Sequence, residues 1–196
     1  MQDSRMVRIR NLKDETARLK EELARVRDER DSLRQHFSLA LMAARDADAM
    51  PPDCTLLVID GWNAILGSGS LTRDRTAKDA TRPVCGQGWR KQLVAMVQSW
   101  LDRHPGDRAW IVFDGHQANG EVKGRLRISY TGGTGSHRAD RFVCDYLRMR
   151  LYSGVKTRIV VVTNDKGFRA DAKRLGAEIS GVEQLNEKSI LSTSRE

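Results

Sequence analysis

Apolar residues near the N-terminus fall at Ile9, Leu12, Leu19, Leu23, Val26, Leu33 and Phe37. Thr16, Arg30 and Ala40 complete a seam with alternating spacings of three and four. Residues 4–45 contain neither Pro nor Gly. The pattern predicts one long helix of about 60 Å, with the heptads of a coiled coil. Pro51 and Pro52 stop it, and Ala47–Asp53 reads as a hinge. Beyond the hinge the period changes. Short apolar runs predict strands at Thr55–Asp60, Ala109–Asp114, Arg125–Tyr130, Arg158–Thr163 and Ala177–Ser180. Helical patterns fall at Trp89–His104, Arg138–Leu151 and Gly167–Leu175, the last closed by Gly176, and a small helix follows the last strand. Residues 67–88 read as a long mobile loop, with or without a short helix, and Thr131–Ser136 as a flexible turn. Strands alternating with helices predict a three-layer α/β domain with a mostly parallel central sheet.

Charge is unevenly placed. The chain of 196 residues carries a formal charge of +8. Residues 1–50 hold 11 Lys/Arg against 10 Asp/Glu, leaving 23 basic and 16 acidic residues on the remainder. The basic excess therefore lies on the globular part and suits a polyanionic partner. Cys54, Cys85 and Cys144 are odd in number and far apart, which argues against a zinc site or a disulfide framework and for a reducing, cytoplasmic setting. The charged N-terminus and short apolar runs predict neither a signal peptide nor a membrane span.

Acidic residues sit where the strands stop. LLVIDGWN, WIVFDG and VVVTNDKGF each end an apolar run near an Asp: Asp60, Asp114 and Asp165. Asp140 lies in the first turn of a helix after a Gly-rich turn. Parallel sheets present ligands at the carboxyl ends of their strands. Carboxylates crowded there repel one another unless a cation neutralises them, so the pattern points to Mg²⁺ or Mn²⁺ serving phosphate chemistry. Asn63 reads either as a ligand to metal-held water or scissile phosphate, or as a helix cap. Thr163 and Asn164 offer a hydroxyl and an amide beside Asp165. Asp145, five residues after Asp140, falls on another side of the helix and reads as a surface residue. His36, His104, His116 and His137 are scattered, so no Ser-His-Asp logic is visible; His116 and His137, near Asp114 and Asp140 in sequence, read as surface residues in preference to phosphate contacts. A dinucleotide fold needs more than Gly61 after the first strand, and no Walker lysine is present.

The D-G-x-N at Asp60–Asn63, the F-D-G at Phe113–Gly115, the A-D at Ala139–Asp140 and the T-N-D at Thr163–Asp165, in that order, resemble the NYN domain, a branch of the PIN-like nuclease superfamily. The resemblance spans about residues 54–185. It implies a metal-dependent ribonuclease with Asp60, Asp114, Asp140 and Asp165 as catalytic metal ligands and Asn63, Thr163 and Asn164 in support. The expected organisation is a coiled-coil helix (1–48), a hinge (49–53), an NYN/PIN-like domain (54–185) and a polar tail (186–196). Arg125, Arg127, Arg138, Lys166 and Arg169 are expected to hold the backbone of a single-stranded RNA. The heptad places Glu15, Glu22 and Glu29 opposite Lys20, Arg27 and Arg34 of a parallel partner, which predicts a parallel homodimer. The alternatives are a non-catalytic RNA-binding scaffold and a DNA nuclease of the same chemistry.

Overall fold

The computed structural model describes residues 2–51, 53–68, 83–115, 118–132, 137–153 and 157–186. In chain order the elements are α1 (Gln2–Ala49), β1 (Thr55–Asp60), α2 (Gly61–Gly67), α3 (Pro83–Arg103), β2 (Arg108–Phe113), β3 (Ala118–Lys123) and β4 (Leu126–Thr131). Then come α4 (Arg138–Tyr152), β5 (Arg158–Val162), α5 (Lys166–Arg174), β6 (Glu178–Ser180) and a 3-10 helix at Val182–Asn186.

The chain forms two compact units, Met1–Met42 and Ala43–Glu196. The first is helical. Its seam residues Ile9, Leu12, Leu19, Leu23, Val26, Leu33 and Phe37 are all exposed, between 43% and 67%. The second takes in the last two turns of α1 and the α/β domain. Within it Asp46, 2% exposed, receives both terminal nitrogens of Arg127 at 2.9 and 2.8 Å and the Tyr146 hydroxyl at 2.7 Å. Burial, and then Asp46, push the Tyr146 hydroxyl far above its usual pKa.

Among the described residues six strands form one sheet in the order β3-β4-β2-β1-β5-β6. Every pairing is parallel except β3 with β4. Alternation along the strands builds two cores. Leu57, Ile59, Ile111 and Phe113 face Ile65 of α2 and Leu93, Val97, Trp100 and Leu101 of α3. On the other face Trp110 meets Phe142 and Tyr146 of α4 edge-on. This is the expected three-layer, mostly parallel α/β domain.

Besides α2, which the sequence pattern does not mark as a helix of its own, two elements depart from the sequence expectation. The segment Ala118–Lys123 forms β3, antiparallel to β4, through a two-residue turn at Gly124 and Arg125. Gly124 has φ of +59°, which glycine adopts without steric cost at the first position of such turns. The helix expected from Trp89 begins at Pro83, so residues 83–88 are helical rather than loop. Proline suits a helix start because its absent N–H has no intrahelical partner there. The rest of the expected loop, residues 69–82, lies outside the described residues, as do His116, residues 133–136 and the tail from 187.

Candidate active site

The parallel register aligns the strand ends. Asp60 pairs with Val112 across β1 and β2, and Ile59 with Val162 across β1 and β5. Asp60, Asp114 and Asp165 therefore leave the sheet at the same end. Gly61 permits the close approach. A Cβ there would lie 2.3 Å from the Phe113 ring, so only glycine lets α2 start against β2.

Backbone N–H groups orient three of the four carboxylates, and a histidine ring meets the fourth. Asp60 caps α2, accepting the Asn63 N–H at 3.2 Å. Asp114 Oδ1 accepts the Ala139 N–H at 2.8 Å and the Thr131 hydroxyl at 3.3 Å, which ties β2 to the start of α4 and the end of β4. Asp165 caps α5 through the Phe168 N–H at 2.9 Å, while its own N–H donates to the Thr163 hydroxyl at 3.1 Å. Asp140 lies in the first turn of α4 with His137 Nδ1 3.1 Å from its Oδ2.

The four acids share one field. Burial pushes the Asp60 carboxyl up to about 7; the Asn63 N–H opposes this, and Asp140, Asp114 and Asp165 each add to it. Asp140 is also raised, first by burial, against the hydrogen bond from His137, with Asp165 and Asp114 contributing. Four chain segments thus deliver mutually repelling carboxylates to one place.

Asn63, read from the sequence as a metal-water or phosphate contact or as a helix cap, makes a bridge within the site. Its Oδ1 accepts the Asn164 N–H at 2.7 Å, bridging the first turn of α2 and the loop after β5. Asn164 Oδ1 in turn accepts the Val182 N–H at 3.2 Å. Thr163 is fully buried and serves Asp165. These residues hold the site's shape.

One ligand atom each from His137, Asp140 and Asp165 lies within 4.8 Å of the other two. Carboxylate oxygens suit Mg²⁺ or Mn²⁺, and an imidazole suits Mn²⁺ better than Mg²⁺. The donor set therefore fits a divalent cation. His137, expected at the surface, is exposed but turned onto Asp140 from a left-handed backbone with φ of 57°. Its placement three residues before Asp140, at the start of a helix, is the signal that could have found it.

The basic residues divide. Lys166 and Arg169 are exposed in the first turns of α5, beside Asp165. Arg138, at the start of α4, donates to the carbonyl of Gly115, the residue after Asp114, at 2.9 Å. Arg125 and Arg127 are not at the sheet edge where the carboxylates converge. Leu126 pairs with Ala109, so both arginines lie toward the opposite end of the sheet. Arg125 donates to the carbonyls of Leu101, His104 and Asp107, and Arg127 is held by Asp46. Asp145, on α4, pairs with Arg148.

The family described as the YacP-like NYN domain matches residues 57–195. The crystal structure of a single-residue mutant of Rae1 (YacP) from Bacillus subtilis is similar, with a TM-score of 0.50 and 21% identity over 67% of this chain and 72% of that one. The structure titled as Rae1 (YacP) from Bacillus subtilis, without a mutation named, gives 0.46 and 21% over 66% and 70%. No curated protein sequence matches. Among the described residues no helix is long and apolar enough to cross a membrane.

Proposed function

Because this chain belongs to the YacP-like NYN domain family, a family of PIN-like nucleases, we propose that it is a metal-dependent endoribonuclease cutting single-stranded RNA. The observation that carries this reading is the convergence of Asp60, Asp114, Asp140 and Asp165, with Asp60 sensing the charge of the other three. A protein that only bound RNA would gain nothing from uncompensated carboxylates beside a phosphate chain.

Asp60, Asp114, Asp140 and Asp165 would hold one or two Mg²⁺ or Mn²⁺ ions, and His137 adds a donor beside Asp140 and Asp165. A bound divalent cation supplies the Lewis acidity that activates a water and offsets charge on the leaving oxygen. The chain's own residues do the positioning. The α2 and α5 N-termini and the Ala139 N–H fix the carboxylates. Lys166 and Arg169 offer exposed charge to the RNA backbone, and Arg138 holds Gly115 beside Asp114. The expected products carry 5′-phosphate and 3′-hydroxyl ends.

The exposed seam of α1 supports a parallel homodimer. Seven large apolar side chains exposed along one helix form a surface that a second copy would cover. The domain division into coiled coil, hinge, nuclease and tail, and a cytoplasmic setting, complete the reading. Cys54 and Cys144 are free and buried, as suits reduced thiols.

The test is incubation of the purified chain with end-labelled single-stranded RNA, and separately DNA, in Mg²⁺, in Mn²⁺ and in EDTA. Cleavage of RNA in a divalent cation and none in EDTA is expected. Cleavage that persists in EDTA, or none under any condition, contradicts the reading.

A further inference from the structure

Among the described residues Arg90, on α3, is held by aromatic rings rather than by a carboxylate. Its guanidinium carbon lies 4.7 Å from the centroid of Trp62 and 5.6 Å from those of Phe113 and Tyr130. Trp62 and Phe113 meet edge-on at 5.6 Å, and Phe113 and Tyr130 stack at 5.5 Å. Among the described residues Nε of Arg90 is buried without a hydrogen-bond partner. The residue as a whole is partly exposed.

The cage is built from chain neighbours of the site. Trp62 stands two residues after Asp60, and its indole N–H donates to the Asp114 carbonyl at 3.1 Å. Phe113 immediately precedes Asp114. Tyr130 precedes Thr131, whose hydroxyl donates to Asp114. The cation is therefore fixed beside the Asp114 end of the carboxylate cluster. The α5 residues Lys166 and Arg169 stand beside Asp165 instead. A cation among ring faces keeps its hydrogen-bonding capacity, because the rings attract charge without accepting the directed bonds that a carboxylate takes. Guanidinium groups match phosphate with paired donors.

We propose that Arg90 is a phosphate-binding residue, presented by the Trp62, Phe113 and Tyr130 rings to a nucleic-acid strand passing the Asp114 side of the site. This rests on the nucleic-acid reading of that site. It gives the strand cationic contacts on two sides of the carboxylates, Arg90 at one and the start of α5 at the other.

The test is binding rather than cleavage. A fluorescently labelled single-stranded RNA of twenty nucleotides is titrated with the full chain in EDTA at several salt concentrations. Arg90→Gln is expected to weaken binding roughly tenfold and to make the slope of log affinity against log salt shallower by about 0.7, the value of one released counterion on a single strand. Arg90→Lys keeps the slope of the parent chain. If thermal melting shows that Arg90→Gln does not fold, Arg90→Met keeps the stem among the rings and carries the same comparison. A folded, uncharged variant with the parent's affinity and slope overturns the proposal and leaves the nuclease reading standing. Absence of RNA binding by the parent chain overturns this proposal, while the cleavage test in Mg²⁺ and Mn²⁺ decides the nuclease reading.

Discussion

Asn63 Oδ1 accepts the backbone N–H of Asn164 at 2.7 Å, joining a helix start to a loop 101 positions further along the sequence. Asn63 lies in the first turn of the helix capped by Asp60, and Asn164 directly precedes Asp165, which caps the next helix on that side. The bond therefore sets how far apart two of the four carboxylates stand. Asn63→Ala is expected to lower kcat by roughly a hundredfold, the usual effect of a displacement near 1 Å at a reacting centre. Stability should fall by only about 1 kcal/mol, since one partly exposed hydrogen bond is lost. Single-turnover cleavage and a thermal melt check both. A variant with the parent's rate shows that the bridge does not position the acids.

The Asp60 carboxyl gives metal-free protein a distinctive pH response. Its folded pKa of about 7 lies above the ordinary 3.8. The folded state thus binds the proton more tightly, and this stabilisation is full below the unfolded pKa and is lost as pH rises through 7. In EDTA the chain should melt at lower temperature at pH 8 than at pH 5. Asp60→Asn should remove most of that difference and be the more stable protein at pH 8, by on the order of 3 kcal/mol. Equal pH responses of parent and variant contradict the shared-field description.

Arg127 separates structural from nucleic-acid roles. Its pairing with buried Asp46 leaves an uncompensated charge when either partner is removed. Asp46→Ala and Arg127→Met should each cost about 3–5 kcal/mol. Arg127→Met, measured below its melting temperature, should leave the salt dependence of RNA binding unchanged, whereas Lys166→Ala or Arg169→Ala should make that slope shallower. A shallower slope for Arg127→Met would return that residue to the RNA surface.

The exposed seam of α1 predicts a parallel pair. With Cys54 and Cys144 buried, replacing Cys85 and introducing Gln2→Cys leaves one accessible reporter. Mild oxidation should cross-link the two N-termini efficiently, because the interhelical charge pairs, each worth up to about 1 kcal/mol, attract only in the parallel direction. A monomeric mass by light scattering at micromolar concentration contradicts the pairing.

Much of this domain was legible in the sequence. The apolar runs ending at Asp60 and Asp114, and the one leading into Asp165, are central parallel strands, buried on both faces, so their composition and abrupt ends survive into the fold. The strand Ala118–Lys123 was not legible. It holds Gly120 and a single β-branched residue, and only its pairing with β4 makes it extended. The early start of α3 was hidden by the loop-like composition of residues 67–88. The placement of Arg125 had a readable signal. It precedes its strand while Asp114 follows one, and in a parallel pair a strand of six residues alone separates such positions by about 20 Å. The task of Asn63 was not readable, because its partner is distant in sequence and the bond is to backbone.

The central claim is that Asp60, Asp114, Asp140 and Asp165 work together as a metal-supported nuclease site. The most direct measurement is cleavage of labelled single-stranded RNA in Mn²⁺ by Asp60→Asn, Asp165→Asn and Asp145→Asn proteins of verified fold. Asp145 lies on the same helix as Asp140 but pairs with Arg148, so it is the matched control. The account predicts loss of cleavage, by at least about a thousandfold, in the first two and the parent's rate in the third. Full activity of Asp60→Asn and Asp165→Asn would contradict it.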